Sequence, residues 1–236
     1  GFGSVANAFR AKGQLLVNNP DLVFVEAAVN DWSGNEKEVK DSMEGGVRQL
    51  YGHNPKIDIV FIYTVSKAAA EASYANAQTM KTVEWHEEIA AHYGIPSVNV
   101  GLDLYGKVKS GAYTWEALLG DGTHPNDTGY EIYTASVMDF LKSELQKTAP
   151  PGLTDYKMPA KLYQTCYDKA DIADSWDMTY SDFEKSEASM GGRHPHMIVS
   201  NKKDATASIA FQGRAVGLYW LKSNDSGIVE WWVDNT

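Results

Sequence analysis

The sequence predicts an α/β protein, a parallel sheet covered by helices, followed by a smaller all-β, sandwich-like domain. Three observations predict it. Between residues 21 and 148 short apolar runs alternate with long helical patterns, the rhythm of a helix-covered parallel sheet. The runs are nearly continuous rather than alternating, as in strands buried on both faces. After "TAPPG" at 148–152 the pattern changes to aromatic-rich segments separated by glycines and turn residues.

The first run, Leu22 to Val29 ("LVFVEAAV"), is the first expected strand; "IDIVFIYT" (57–64) and Ser97 to Val100 are the second and third, with the β-branched character strands favour. Between the first two, "NEKEVKDSMEGGVRQLYGHNP" places Val39, Met43, Val47 and Leu50 at helical spacing before a Gly/Asn/Pro exit. Between the second and third, the alanine-rich "SKAAAEASYANAQTMKTVEWHEEIAAHYG" reads as a helix stopped by Gly94. Gly101 to Asp121 reads as a loop. Asn126 or Asp127 then caps a helix whose apolar stripe is Tyr133, Val137, Phe140, Leu141 and Leu145. The expected organisation is an α/β domain over 1–148, a linker over 149–159 and a β-rich domain over 160–236, the last built from "ASIAFQG", "AVGLYWLK" and "GIVEWWVD". The aromatic residues Tyr219, Trp220, Trp231 and Trp232 are expected to fill a sandwich core, with a sugar-stacking platform as the alternative.

Composition narrows the function classes. Twenty-one basic against 31 acidic residues give a net charge of -10, and no Lys/Arg stripe is present to attract a phosphate backbone, so no nucleic-acid partner is expected. No apolar run approaches the ~20 residues that span a bilayer, so no membrane partner is expected either. The single cysteine, Cys166, excludes an internal disulfide and reads as a small buried hydrophobe. No signal peptide is visible.

The segment carrying chemistry is "DGTHPN", 121–126, where Asp121 and His124 stand three apart at the entry to a helix. "VND" (29–31) and Trp32 lie at the carboxyl end of the first expected strand, and parallel sheets bind ligands outside the carboxyl ends of their strands, so both segments are expected on one rim. There an imidazole oriented by a carboxylate can act as general base for a hydroxyl, and an asparagine amide can donate to a developing oxyanion. Asp31 reads as a structural acceptor holding the Asn30 loop. Asp121 and His124 alone supply two metal ligands and specify no third, and "RHPH" (193–196) reads as a solvated loop, so no metal site is assigned. His86, in "VEWHEE", reads as a residue on a helix flank.

The pair "AVND" (28–31) and "DGTHPN" resembles the third and last blocks of the SGNH (GDSL) hydrolases, with Ala28 where that family carries glycine; "PDLVFVEAAVND" is similar to its carbohydrate-esterase branch. The resemblance covers residues 1 to about 148. It implies a flavodoxin-like three-layer α/β/α fold and a serine esterase acting on short acyl, above all acetyl, esters on carbohydrate, without metal or organic cofactor. It assigns His124 as base, Asp121 as its orienting carboxylate, Asn30 as an oxyanion donor, and "GFGS" (1–4) as the second block, in which Gly1 or Gly3 gives a backbone N–H to the oxyanion hole. Such enzymes imply a secreted or periplasmic location and an acylated carbohydrate or small ester as partner.

The nucleophilic GDS block has no counterpart within residues 1–236. By the resemblance its serine is expected upstream of Gly1, with Ser4 as the substitute within the chain and Ser33 and Ser66 as weaker ones. The family's first strand lies centrally, so the strand at 22–29 is expected to present a long apolar edge, covered by preceding residues, by a rearranged segment or by self-association with another chain. The alternative function is a catalytically silent scaffold that binds carbohydrate or assists assembly. A flavodoxin-like nucleotide binder is disfavoured because no Gly-rich phosphate loop follows a strand.

Overall fold

A computed structural model describes residues 2–147, 155–187 and 196–234, in two compact units, Gly1–Ile172 and Ala173–Thr236. The first unit holds a three-stranded parallel sheet of order β1 (Leu22–Val25), β2 (Asp58–Ile62) and β3 (Ser97–Val98). Leu22 pairs with Asp58 and Val25 with Phe61; Phe61 and Ile62 pair with Ser97 and Val98 on the other side. The α/β fold with helix-flanked parallel strands is as the sequence predicts.

The sheet is central because its middle strand is apolar after Asp58. Ile59, Val60 and Phe61 are buried, with Tyr63 and Val65 just beyond the strand. Over it pack α2 (Glu36–His53), which contributes Val39, Met43, Val47 and Leu50 to the core as their spacing predicts, and α4 (Lys81–Tyr93). Helices α5 (Val100–Lys109) and α7 (Asp127–Gln146) pack together, and α7 reaches β3. Asn126 caps α7 by accepting from Gly129 N–H at 3.1 Å.

Four expectations need correction. The first strand ends at Val25, and residues 28–33 form turns rather than strand. The alanine-rich helix is broken into α3 (Lys67–Ala72), a 3₁₀ turn at Tyr74–Asn76 and α4. At the break the Asn76 amide donates to the carbonyls of Glu71 and Ala72, Tyr74 is buried, and Ala77 adopts a left-handed backbone at φ 55°. Tertiary burial thus overrides alanine's local helix preference. The expected loop after Gly101 is instead α5 and the short α6 (Trp115–Leu118), because Asn99 and Thr114 cap them and Val100, Leu104, Trp115 and Leu118 are buried.

The fourth concerns the division of the chain. Residues 155–172, expected to begin a separate linker and domain, pack on the first unit, held by carboxylates that α2 buries. Glu44, fully buried, accepts from Leu162 and Tyr163 N–H at 2.7 Å each and from the Tyr93 hydroxyl at 2.6 Å. Asp41 accepts from Thr165 Oγ1 at 2.9 Å, and its carbonyl from Tyr167 N–H. Buried carboxylates on a helix demand donors, and this strap of chain supplies them. Cys166 is buried within it.

The second unit contains two two-stranded antiparallel sheets, β4 (Thr179–Ser181) with β7 (Thr206–Ser208) and β5 (Glu184–Ser186) with β6 (Met197–Val199). The segments 215–222 and 227–234 form no strand, and Trp220, Trp231 and Trp232 are exposed, Trp231 by 74%. The sandwich-core expectation for these aromatics is therefore not met within the described residues. Of "RHPH", only His196 is described: it is bonded to Asp174 and stacked on the Trp176 ring at 3.8 Å between centroids.

Candidate functional site at the carboxyl rim of the sheet

The chain leaves β1 and β2 on the same rim, and side chains join the two exits. Thr64 Oγ1 donates to Glu26 Oε1 at 2.8 Å, linking the residue after β1 to the segment after β2. Burial pushes the Glu26 carboxyl above its ordinary value, and the Thr64 bond only partly offsets this. The same segment anchors the "DGTHPN" loop: Lys67 N–H donates to Gly122 O at 2.8 Å, and Val65 N–H to the hydroxyl of Tyr133, on α7, at 3.4 Å. Gly122 sits at φ 81°, a backbone region that a side chain rarely adopts, so glycine permits the turn that carries its carbonyl to α3.

Within this loop Asp121 and His124 form a closed unit. Asp121 Oδ2 faces His124 Nδ1 at 2.7 Å, while Oδ1 accepts from the backbone N–H groups of Thr123 at 2.9 Å and His124 at 2.8 Å. These bonds, His124's backbone first and its ring second, hold the Asp121 carboxyl well below the usual carboxylate range. A carboxylate accepting at Nδ1 fixes the proton there and leaves the Nε2 lone pair outward. The His124 side chain is 75% exposed and that of Asp121 61%. The pair can take a proton from a hydroxyl brought to the rim.

Asn30 is also exposed on the carboxyl side of β1, in the turn after Val29, and makes no side-chain hydrogen bond among the described residues. Its neighbour Asp31 turns inward. Asp31, 4% exposed, accepts from Ser4 N–H at 2.9 Å through Oδ1 and faces His86 Nε2 at 3.0 Å through Oδ2. The "FGS" segment is thereby tied to the Asn30 turn. Its glycine has a steric cause: a Cβ on Gly3 would stand 2.4 Å from Asp31 Oδ1. Gly1, the other candidate oxyanion donor, lies outside the described residues.

Two readings of single residues change. His86, read as a helix-flank residue, is 1% exposed on the inner side of α4, between Asp31 and the rings of Phe61 and Tyr63. Ser4, the substitute nucleophile, is 2% exposed in α1 (Ser4–Arg10), its Oγ 2.7 Å from Ser42 Oγ. It faces α2 instead of His124. Ser66 caps α3, its Oγ accepting from Ala69 N–H at 3.2 Å.

What sequence reading missed is a groove beside the Asn30 turn, about 640 Å³ in volume, lined by Trp32 and by residues of the segment 72–84. Its far wall is the helix break at 73–80; only the polar "SYANAQT" inside the alanine-rich stretch hinted at it. Among the described residues no group of three or more His, Cys, Asp or Glu is arranged to hold a metal ion, and no helix is long and apolar enough to cross a membrane.

This fold and these motifs coincide with a known family. Residues 3–132, more than half of the chain, match the model of the GDSL-like lipase/acylhydrolase family, and the protein belongs to it. Among solved structures, it is similar to a two-domain esterase (CEX) active on acetylated mannans, co-crystallised with mannopentaose: 26% identity and a TM-score of 0.69 over 86% of this chain and 52% of that one. A second structure of a two-domain esterase of the same description gives 25% and 0.70, covering 86% and 53%. The chain thus spans about half the length of the esterase it matches. No curated protein matches the sequence.

Proposed function

We propose that the protein is a serine esterase that removes short acyl groups, chiefly acetyl, from carbohydrate. His124 Nε2 takes the proton of a serine hydroxyl as the oxygen attacks the ester carbonyl, then returns it to the departing sugar hydroxyl. Asp121 holds the imidazole tautomer and stabilises the imidazolium. Asn30 and a backbone N–H of the Gly1–Gly3 segment donate to the tetrahedral oxyanion, and Asp31 fixes both segments. The observation that carries this reading is the Asp121–His124 bond, with the carboxylate also held by two backbone amides and the ring's second nitrogen turned outward.

The serine comes from a segment outside residues 1–236 that lies against the open edge of β1, whose Leu22 and Phe24 are 43% and 39% exposed. The similarity to an esterase active on acetylated mannans supports the substrate class. By the same likeness to an esterase active on acetylated mannans, we place this protein outside the cytoplasm. The second unit is assigned an accessory role, and no cofactor takes part.

Acetate release from acetylated mannan and hydrolysis of 4-nitrophenyl acetate by the full-length protein test the proposal. His124→Ala is expected to abolish both, and Asn30→Ala to lower kcat on the order of 10²- to 10³-fold, the typical loss of one oxyanion donor. Full activity in His124→Ala would contradict His124 as the base, and no activity in the parent would leave the silent-scaffold reading.

A further inference from the structure

We infer that the groove between Trp32 and the segment 72–84 binds one or more neutral pyranose units of a glycan chain, next to the reacting ester. For the groove's part in catalysis this rests on the esterase reading; for binding it stands alone. The volume, about 640 Å³, lies inside the ~300–1,000 Å³ typical of small-molecule sites. The lining is an indole with a surround of short and long polar groups: Ser73, Gln78, Thr79, Lys81 and Glu84. A pyranose needs this combination, an aromatic face for its C–H side and an amide, a hydroxyl and charged ends for its hydroxyl edge.

Charge favours a neutral ligand. Lys81 and Glu84 bring one charge of each sign to the same groove, so neither an anion nor a cation is drawn in. Lys81 is exposed and rests over two rings, its Nζ 5.6 Å from the Trp32 centroid and 5.2 Å from that of Trp85. That long side chain can rotate off Trp32 onto a sugar hydroxyl while keeping its contact with Trp85.

Position ties the groove to the reaction. Trp32 follows Asn30 by two residues, and α4 begins at the carboxyl rim, where β2 has just delivered the segment that holds the "DGTHPN" loop. The wall is made by a backbone that departs from the easy course: Ala77, a strong helix former, stands at φ 55° inside an alanine-rich stretch. Residues held in this region by their surroundings gather at binding sites more than elsewhere.

Calorimetric titration of the protein with mannopentaose, with cellopentaose as the stereochemical comparison, tests the inference without requiring turnover. Saturable mannopentaose binding is expected, weakened ~10-fold or more by Trp32→Ala, in line with the loss of a stacking contact. Because Trp32 is partly packed, Gln78→Ala and Glu84→Ala, both exposed, are measured beside it and are expected to weaken binding several-fold with unchanged circular dichroism. His124→Ala should bind as the parent does. Absence of saturable binding, or equal binding by all three groove variants, overturns the inference. Groove-dependent binding without acetate release would remove the esterase reading and leave the groove standing; acetate release with no oligosaccharide binding would do the reverse.

Discussion

Asp121 and His124 are joined twice, ring to carboxylate at 2.7 Å and backbone N–H to the same carboxylate at 2.8 Å. The second bond means that the acid which orients the imidazole also sets the turn that presents it. Asp121→Asn is therefore expected to disturb both functions. The amide can offer Nδ1 a donor as readily as an acceptor, so ¹⁵N NMR should show His124 moving from an Nδ1–H tautomer toward a mixture. Esterase kcat/KM should fall on the order of 10²- to 10⁴-fold. An unchanged tautomer would contradict the assignment.

The buried Asp31–His86 pair predicts a stability effect. Asp31→Ala leaves Ser4 N–H and the imidazole without their acceptor, both in the interior, and is expected to cost roughly 2–5 kcal/mol in urea unfolding. A double-mutant cycle with His86→Phe should return a coupling of about 1–3 kcal/mol. Additive effects would show that the contact contributes nothing.

The strap over α2 makes a third case. Glu44→Ala removes the acceptor of two backbone amides and one phenol, at a cost of roughly 3 kcal/mol or more. Limited proteolysis should then cut within 155–172 at protease levels that leave the parent intact. Persistence of the uncut strap would show that Asp41 and the other contacts suffice.

Glu26 predicts a pH dependence. Its folded carboxyl is raised above the unfolded value by burial, so its contribution is fully present below the unfolded value and is lost as pH rises through the folded one. Stability to urea should decline over that window. Glu26→Gln keeps an acceptor for Thr64 without the buried charge, and should flatten the decline and raise stability near neutrality. A parallel pH profile in the variant would contradict this cause.

Much of the fold was legible because the relevant signals are local. The runs 22–25 and 59–62 lie within strands because apolar, largely β-branched and aromatic residues fill them, and the spacing of Val39, Met43, Val47 and Leu50 commits α2 to the core. The pairing of Asp121 with His124 is equally local, three residues and one turn. What could not be read depends on partners distant in sequence. His86 looks like a helix-surface residue until Asp31, 55 positions away, supplies its hydrogen bond. The strap is invisible until Glu44 meets amides 118 and 119 residues later. The break at Ala77 opposes alanine's local preference, and Trp220, Trp231 and Trp232 lie in segments that read as strands while the structure leaves them exposed and without strand.

The central claim is that His124 activates a serine that residues 1–236 do not contain. Labelling the full-length protein with a fluorophosphonate and mapping the adduct by mass spectrometry tests it most directly. The account predicts one labelled serine, N-terminal to residue 1, whose labelling slows by orders of magnitude in His124→Ala. An adduct on a serine within 1–236, or labelling that His124→Ala leaves unchanged, would contradict it.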